Sequence, residues 1–354
     1  MDTRAIAGAA TIVAATIVAA QLAAAPPPQI RVQRFAQNPL ITTETSPSLG
    51  DNVNGPTVIR VPPWVERPLG RYYMYFAHHM GAFVRLAYAD RLEGPWKIHE
   101  PGVLPVHTTA FHRPQPDPPE NLENFYTHVA SPEGYVDDTR RRLVMWFHGW
   151  YTEGRRWPTG EAAARDWARQ NGYGQYTQVA ESSDGLRFEV HPAVTRVSYL
   201  RVVPRDKALL GMARLGQLLR SNDPLGVFAI GPNPFRDTPY ANRVRHVAVT
   251  SRGDLLHVFF TAIGDDPERV MVSTVEMRGD WQSWRASDAV EVLRPEAAYE
   301  CSEMPSAPSA AGDVKGPVNQ LRDPAIFEEA GRTFLFYSTC GEQGIAGAEL
   351  RFSR

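Results

Sequence analysis

Five times along the chain, a polar or glycine turn leads into a dense run of apolar and aromatic residues. The runs are GRYYMYFAHH (70–79), RRRLVMWFHGW (140–150), DKALLGMAR (206–214), GDLLHVFFTAIG (253–264) and GRTFLFYSTCG (331–341). Each is followed by a further strand-like segment, FVRLAYAD (83–90), YTQVAESSDG (176–185), QLLRSNDP (217–224), RVMVSTVE (269–276) and GIAGAEL (344–350). Each is preceded by a shorter run, GPTVIRV (55–61), VASPEGYV (129–136), SYLRVV (198–203), RHVAVT (245–250) or DPAIFE (323–328). In the first four units a turn and then Trp96, Phe188, Phe228 or Trp284 mark the expected start of an outer fourth strand.

Repeats that start about every 50–80 residues and contain only short strands describe antiparallel sheets set around an axis. The expected fold is therefore all-β, a five-bladed β-propeller of four-stranded antiparallel blades. A β-sandwich would also use such strands, but it does not predict five similar units. One helical segment, TGEAAARDWARQ (159–170), falls between strands of the second unit and is expected as a small peripheral insertion. Proline cannot donate a ladder hydrogen bond and is tolerated at strand starts and edges. Pro56, Pro132 and Pro324 all fall at the start of a first strand, which in a propeller faces the central channel. The residues beside these prolines are thus expected at the channel mouth, where ligands bind.

The first 25 residues have a short charged start, an uncharged apolar run and small residues before a proline tract, the layout of a secretory signal or an N-terminal anchor. The expected division is 1–25 signal peptide, 26–50 linker and lead-in, and 51–354 a single propeller domain, secreted or periplasmic and monomeric. Cys301 and Cys340 are the only cysteines of the 354 residues, so an exported chain offers one disulfide or two free thiols. A formal net charge of −2 argues against nucleic acid, and no membrane contact is expected beyond a possible anchor. A compact neutral partner such as a carbohydrate fits better.

With this repeat, and with NGP, ASP and RDP at the blade starts, the chain resembles the five-bladed propeller glycoside hydrolases of families 43, 32, 68 and 117, closest to an uncharacterised bacterial branch. The resemblance spans roughly residues 50–350 and is strongest at RDPAIF and ESSDGLRF. It implies cleavage of a glycosidic bond, with inversion, by a carboxylic acid and an opposing carboxylate. Asp323 is the first candidate and Glu133 of ASPEGYVDD the second, with Asp137 as a substitute. In families 32 and 68 the corresponding Arg-Asp-Pro aspartate grips sugar hydroxyls, which would make Asp323 a stabiliser. Family 117 uses a histidine as general acid, a role open to His246. Arg322, Arg245, Asn54 and the histidines His79, His128 and His148, which recur at channel-facing ends with His78, are candidates for binding hydroxyls. Arg201, Arg245 and Arg322 could instead form a phosphate site for phosphorolysis, as in the related family 130 propellers.

Other acids have a blander reading. AIGDDPERV (262–270), with Asp265, Asp266, Glu268 and Arg269, reads as a charged hairpin turn, or as a loop at the entrance that brings one carboxylate or Arg269 to the pocket, and Glu303 in a proline-rich loop has similar standing. Two departures stand out. Family 43 carries an aspartate base at the first blade, where this chain has Asn54, and an acid at the third, where it has Tyr199 and Arg201. Glu93-Gly94-Pro95 copies a family motif but belongs to an outer turn. These changes open the alternative of a carbohydrate-binding propeller without catalysis. No cofactor is expected. No tight metal-ligand spacing is present, and no motif indicates a structural calcium ion.

Overall fold

The computed structural model describes residues 27–79, 81–112, 127–155 and 161–353. They form five antiparallel sheets, one for each sequence unit. After the short strands β1 (Ile30–Arg34) and β2 (Ile41–Thr42), blade one is built from β3 (Asn54–Arg60), β4 (Tyr72–Ala77), β5 (Phe83–Ala89) and β6 (Lys97–Ile98), and β7 (Val103–Pro105) also pairs with β5. Blade two contains β8 (Ala130–Asp137), β9 (Arg142–Tyr151), β10 (Gly174–Ser182) and β11 (Glu189–Thr195). Blade three contains β12 (Arg201–Arg205), β13 (Ala208–Ala213), β14 (Gln217–Ser221) and β15 (Ala229–Ile230). Blade four contains β16 (Val244–Arg252), β17 (Leu255–Ala262), β18 (Val270–Glu276) and β19 (Val290–Leu293). Blade five contains β20 (Arg322–Glu329), β21 (Arg332–Thr339) and β22 (Gly344–Phe352). The first strands neighbour one another around the axis, β3 beside β8, β12 beside β16, β16 beside β20, and β20 beside β3. The protein is a five-bladed β-propeller.

The fifth blade takes its fourth strand from the other end of the chain. β1 pairs antiparallel with β22, Ile30 opposite Phe352 through Arg34 opposite Ala348, and β2 pairs with β22 at Ile345. The segment expected as linker and lead-in is thus part of the propeller. Arg34 strengthens the join: its Nε lies 2.9 Å from Oε1 of the fully buried Glu300. In blades one to three Trp96, Phe188 and Phe228 stand directly before the fourth strand. In blade four Trp284 comes earlier, and Ala286 bridges to Val275 before β19 begins.

The second strand of each blade is apolar on both faces because both faces are buried between blades. In β4, Tyr73 and Tyr75 pack toward blade two with Met145 and Phe147, while Met74 and Phe76 pack toward blade five with Phe334 and Phe336. The same alternation in β9, β17 and β21 fills the remaining seams, so one apolar cluster occupies each of the blade–blade interfaces. Fully burying one such aromatic contributes about 1.5–3 kcal/mol. The helix α1 (Glu161–Asn171) lies between β9 and β10 as expected, with Trp167 and Ala168 packed against Trp150 and Tyr173. The expected leader lies outside the described residues. Among the described residues no helix is long and apolar enough to cross a membrane.

Candidate functional site

The first strands do not start as regular ladders. Register irregularities fall between Asn54 and Thr57 of β3, Ala130 and Glu133 of β8, Val244 and Val247 of β16, and Arg322 and Ala325 of β20. Pro56, Pro132 and Pro324 lie inside these bulges, where a missing N–H breaks no ladder bond. Beside them Gly55, Ser131 and Asp323 take left-handed backbone, with φ of 58°, 44° and 48°, as does Tyr199 just before β12 with φ of 57°. For Ser131, Tyr199 and Asp323 that conformation costs roughly 1–2 kcal/mol each. Gly55 avoids the cost and also permits close approach, since a Cβ there would stand 3.1 Å from Ser131 Cα.

The bulges, together with the ends of the second strands and the segments that enter the first, bring side chains to one pocket at this end of the axis. Blade two contributes His128, Ser131 and His148, blade three Tyr199, blade four His246, blade five Asp323 and Glu342, and blade one His79 and Asn54. Including its open mouth the pocket holds about 260 Å³. One wall is a row of rings: His128 edge-on to His148 at 6.3 Å, His148 against Tyr199 at 4.2 Å, and Tyr199 against His246 at 4.4 Å.

The pocket also carries two buried carboxylates, each beside a histidine, and His246 at the end of the ring row is one of these two histidines. His246 Nδ1 is 2.8 Å from Asp323 Oδ1, close but not aligned for a linear hydrogen bond, and Ser338 Oγ donates to Asp323 Oδ2 at 2.9 Å. His79 Nδ1 is 3.0 Å from Glu342 Oε2, which also accepts from Asn52 at 2.6 Å and Asn54 at 3.2 Å. Arg322 Nη1 donates to Glu342 Oε1 at 3.0 Å. Burial opposes the charge on both acids. His246 nevertheless holds Asp323 below its ordinary value, and His79 and Arg322 do the same more strongly for Glu342. Burial pushes His246 below the usual imidazole value against the pull of Asp323, and pushes His148 well below it, helped by the charges of neighbouring histidines. The pocket therefore presents ionised carboxylates and, at His246 and His148, neutral rings.

Of the residues expected at the site, Asp323, His246, His79, His128, His148 and Asn54 come together in this pocket. Three do not line it. Glu133 lies farther along β8, where its Oε2 pairs with Arg201 Nη1 at 2.7 Å and accepts from Thr57 at 3.1 Å. A carboxylate already held by a guanidinium and a hydroxyl between three blades is a strut. Arg322, wholly buried, donates to Glu342, Gln320 and the Gly312 carbonyl. Arg245 donates to the carbonyls of Ala310 and Gly312. Both arginines stand behind the pocket wall, and Arg201 donates to the Pro132 and Pro56 carbonyls, so none of the three lines the pocket as a phosphate site would require. Asp137 accepts from Arg142 at 3.0 Å in the hairpin turn, Asp265 pairs with Arg243 at 2.7 Å, and Glu303 is exposed.

Glu342, Tyr199, Gln175, Ser131 and Ala130 are the pocket residues that sequence reasoning did not select. Glu342 follows the second strand of blade five much as His79 follows that of blade one, so the positional rule that singled out the histidines would have found it. Cys340, two residues before it, forms the disulfide with Cys301. Among the described residues no group of three or more histidine, cysteine or acidic side chains is placed to hold a metal ion.

No protein-family model matches the chain. An uncharacterized protein, R118, of Acanthamoeba polyphaga mimivirus is 32% identical over 346 residues, covering 91% of each chain. The chain belongs to the same family as this viral protein. Its fold is shared with family 43 glycoside hydrolases. A family 43 enzyme of Xanthomonas citri in complex with xylotriose superposes with a TM-score of 0.53 at 10% identity, over 89% of this chain and 88% of the enzyme. An α-L-arabinofuranosidase of Lactobacillus brevis gives 0.53 at 12%, over 88% and 92%. A putative glycosidase of Bacteroides thetaiotaomicron gives 0.54 at 11%, over 90% and 96%. At these identities the likeness is one of fold.

Proposed function

We propose that the chain is an exported glycoside hydrolase acting on an oligo- or polysaccharide. The observation that carries this reading is the pair of histidine–carboxylate dyads, His246 with Asp323 and His79 with Glu342, opening into one axial pocket. Glycoside cleavage needs a proton donor at the leaving oxygen and a group that activates water on the other face of the sugar. A carboxylate beside Nδ1 favours the proton on that nitrogen, and the chemistry is assigned to Nε2. His246, which burial keeps neutral, is assigned as the acceptor that activates water, and His79 as the donor. Glu342 thus takes the place first given to Glu133. Fold-sharing proteins described as an arabinofuranosidase and a xylotriose complex support a carbohydrate ligand.

The test is a screen of aryl glycosides and oligosaccharides with His246→Gln and Glu342→Gln beside the native protein, following the product anomer by NMR. Hydrolysis with inversion that is lost in both variants is expected. One observation favours a second reading: by the resemblance to family 43 the first blade start has Asn54 in place of an aspartate, and the third offers Tyr199 and Arg201 but no carboxylate. Sugar binding by the native protein without turnover of any substrate would establish that reading and overturn catalysis.

A further inference from the structure

Glu268, in the charged turn between β17 and β18, is fully buried and does not line the pocket. Its Oε1 lies 3.0 Å from Arg245 Nε and its Oε2 lies 3.4 Å from Arg322 Nε. These are the residues immediately before His246 and Asp323. Each arginine also opens one of the irregular stretches, between Val244 and Val247 and between Arg322 and Ala325, that turn the next side chain into the pocket. One carboxylate therefore tethers both bulges. Its main chain joins the same seam, since Leu321 N donates to Glu268 O at 2.9 Å. Through Arg322 the tether continues to Glu342 Oε1 at 3.0 Å, the acid of the second dyad.

We propose that Glu268 is the positioning residue for both dyads: it anchors Arg245 and Arg322 so that His246 meets Asp323 across the blade seam and Glu342 is held against His79. The proposal rests on the catalytic reading above for its kinetic consequence, but not for its geometric one. Two buried carboxylates, Glu268 and Glu342, share the buried guanidinium of Arg322, and Glu268 also meets the buried Arg245. Neither oxygen of Glu268 receives an aligned hydrogen bond. It thus acts on the arginines through charge and proximity, and an uncharged amide of the same shape would not replace it.

The experiment compares the native full-length protein with Glu268→Gln and with Glu268→Asp, which keeps the charge and retracts it by one methylene. Ring-nitrogen NMR at fixed pH, assigned with His246→Gln and His79→Gln, reads the tautomer of each dyad. In the native protein each ring should hold a proton at Nδ1, His246 as the neutral tautomer and His79 with the further Nε2 proton that its donor role requires. In Glu268→Gln the proton population at Nδ1 should drop in both rings, with Glu268→Asp in between. On any substrate the native protein turns over, kcat should fall about 100-fold in Glu268→Gln with KM little changed, as misplacement of about 1 Å produces. Native ring-nitrogen spectra in a folded Glu268→Gln overturn the proposal, and so do native spectra in Glu268→Asp should the glutamine variant not fold. If no glycoside is hydrolysed, the catalytic reading fails while the spectra still decide the role of Glu268.

Discussion

His246 Nδ1 and Asp323 Oδ1 lie 2.8 Å apart across the seam between the fourth and fifth blades, both nearly free of solvent. Burial alone would neutralise the acid, yet the neighbouring imidazole and the Ser338 hydroxyl keep it ionised. The contact exists only because two bulged strands from different blades deliver their mouth residues to one point.

Asp323→Asn keeps the shape of this contact and removes its charge. On a substrate cleaved by the native protein, kcat/KM should fall by about 100-fold or more, because the base His246 loses the charged partner that orients its ring. An undiminished rate would remove Asp323 from the mechanism.

Glu133 predicts the opposite pattern. Its partner Arg201 has a side chain only 5% exposed, so Glu133→Ala leaves a guanidinium buried without its counter-ion. Stability should drop by about 3 kcal/mol, read as a lower urea midpoint, while kcat stays near that of the native protein. Lost activity in a variant of native stability would return Glu133 to the site.

Stability should decline with acid well before the carboxylates titrate. His257 sits against Phe352 with its imidazole pushed by burial down to about 4. Below its ordinary value near 6.5 the unfolded chain takes up a proton that the folded one refuses. This contribution is complete above pH 6.5 and falls by at most about 3 kcal/mol as pH drops to 4. His246 and His148 shift in the same direction, and Asp323 and Glu342, held low by their partners, add further loss at lower pH. Urea unfolding from pH 7 to 4 should show the slope, and His257→Leu should make it shallower. An equal slope in that variant would contradict the burial argument.

The disulfide should matter to both stability and the site. Cys301 and Cys340 are 39 residues apart, a loop whose closure is worth roughly 4 kcal/mol in the chain-entropy model. Because Cys340 precedes the turn that carries Glu342, reduction or Cys340→Ser should lower Tm and reduce kcat together. Thermal scans with and without reductant, paired with rate measurements, check this; unchanged kcat after full reduction would separate the bridge from the site.

The architecture was legible because its cause is local. Strands such as YYMYFA and RTFLFYST, apolar on both faces and flanked by turns, can be satisfied only between two neighbouring sheets, and five such strands imply five seams. The prolines of NGP, ASP and RDP likewise announced where ladders could not be regular, and so located the mouth. Local pattern could not show that β1 completes blade five, because that pairing joins Ile30 to Phe352 at opposite ends of the chain.

Nor could it assign partners to charges. Arg322 beside Asp323 reads equally as a ligand-binding fork or a buried anchor, and only the fold brings Glu268 and Glu342 to it and closes it off from the pocket. Glu133 at a blade start reads as a channel acid until Arg201 is found 2.7 Å away. The amino-acid sequence by itself determined the repeating strands, and with them the propeller and the end of it where a site can form. Tertiary structure alone decided which side chains share the pocket, because a propeller assembles its mouth from segments distant in the chain, and charge pairing over a few ångströms then divides the acids that face the pocket from those that brace it.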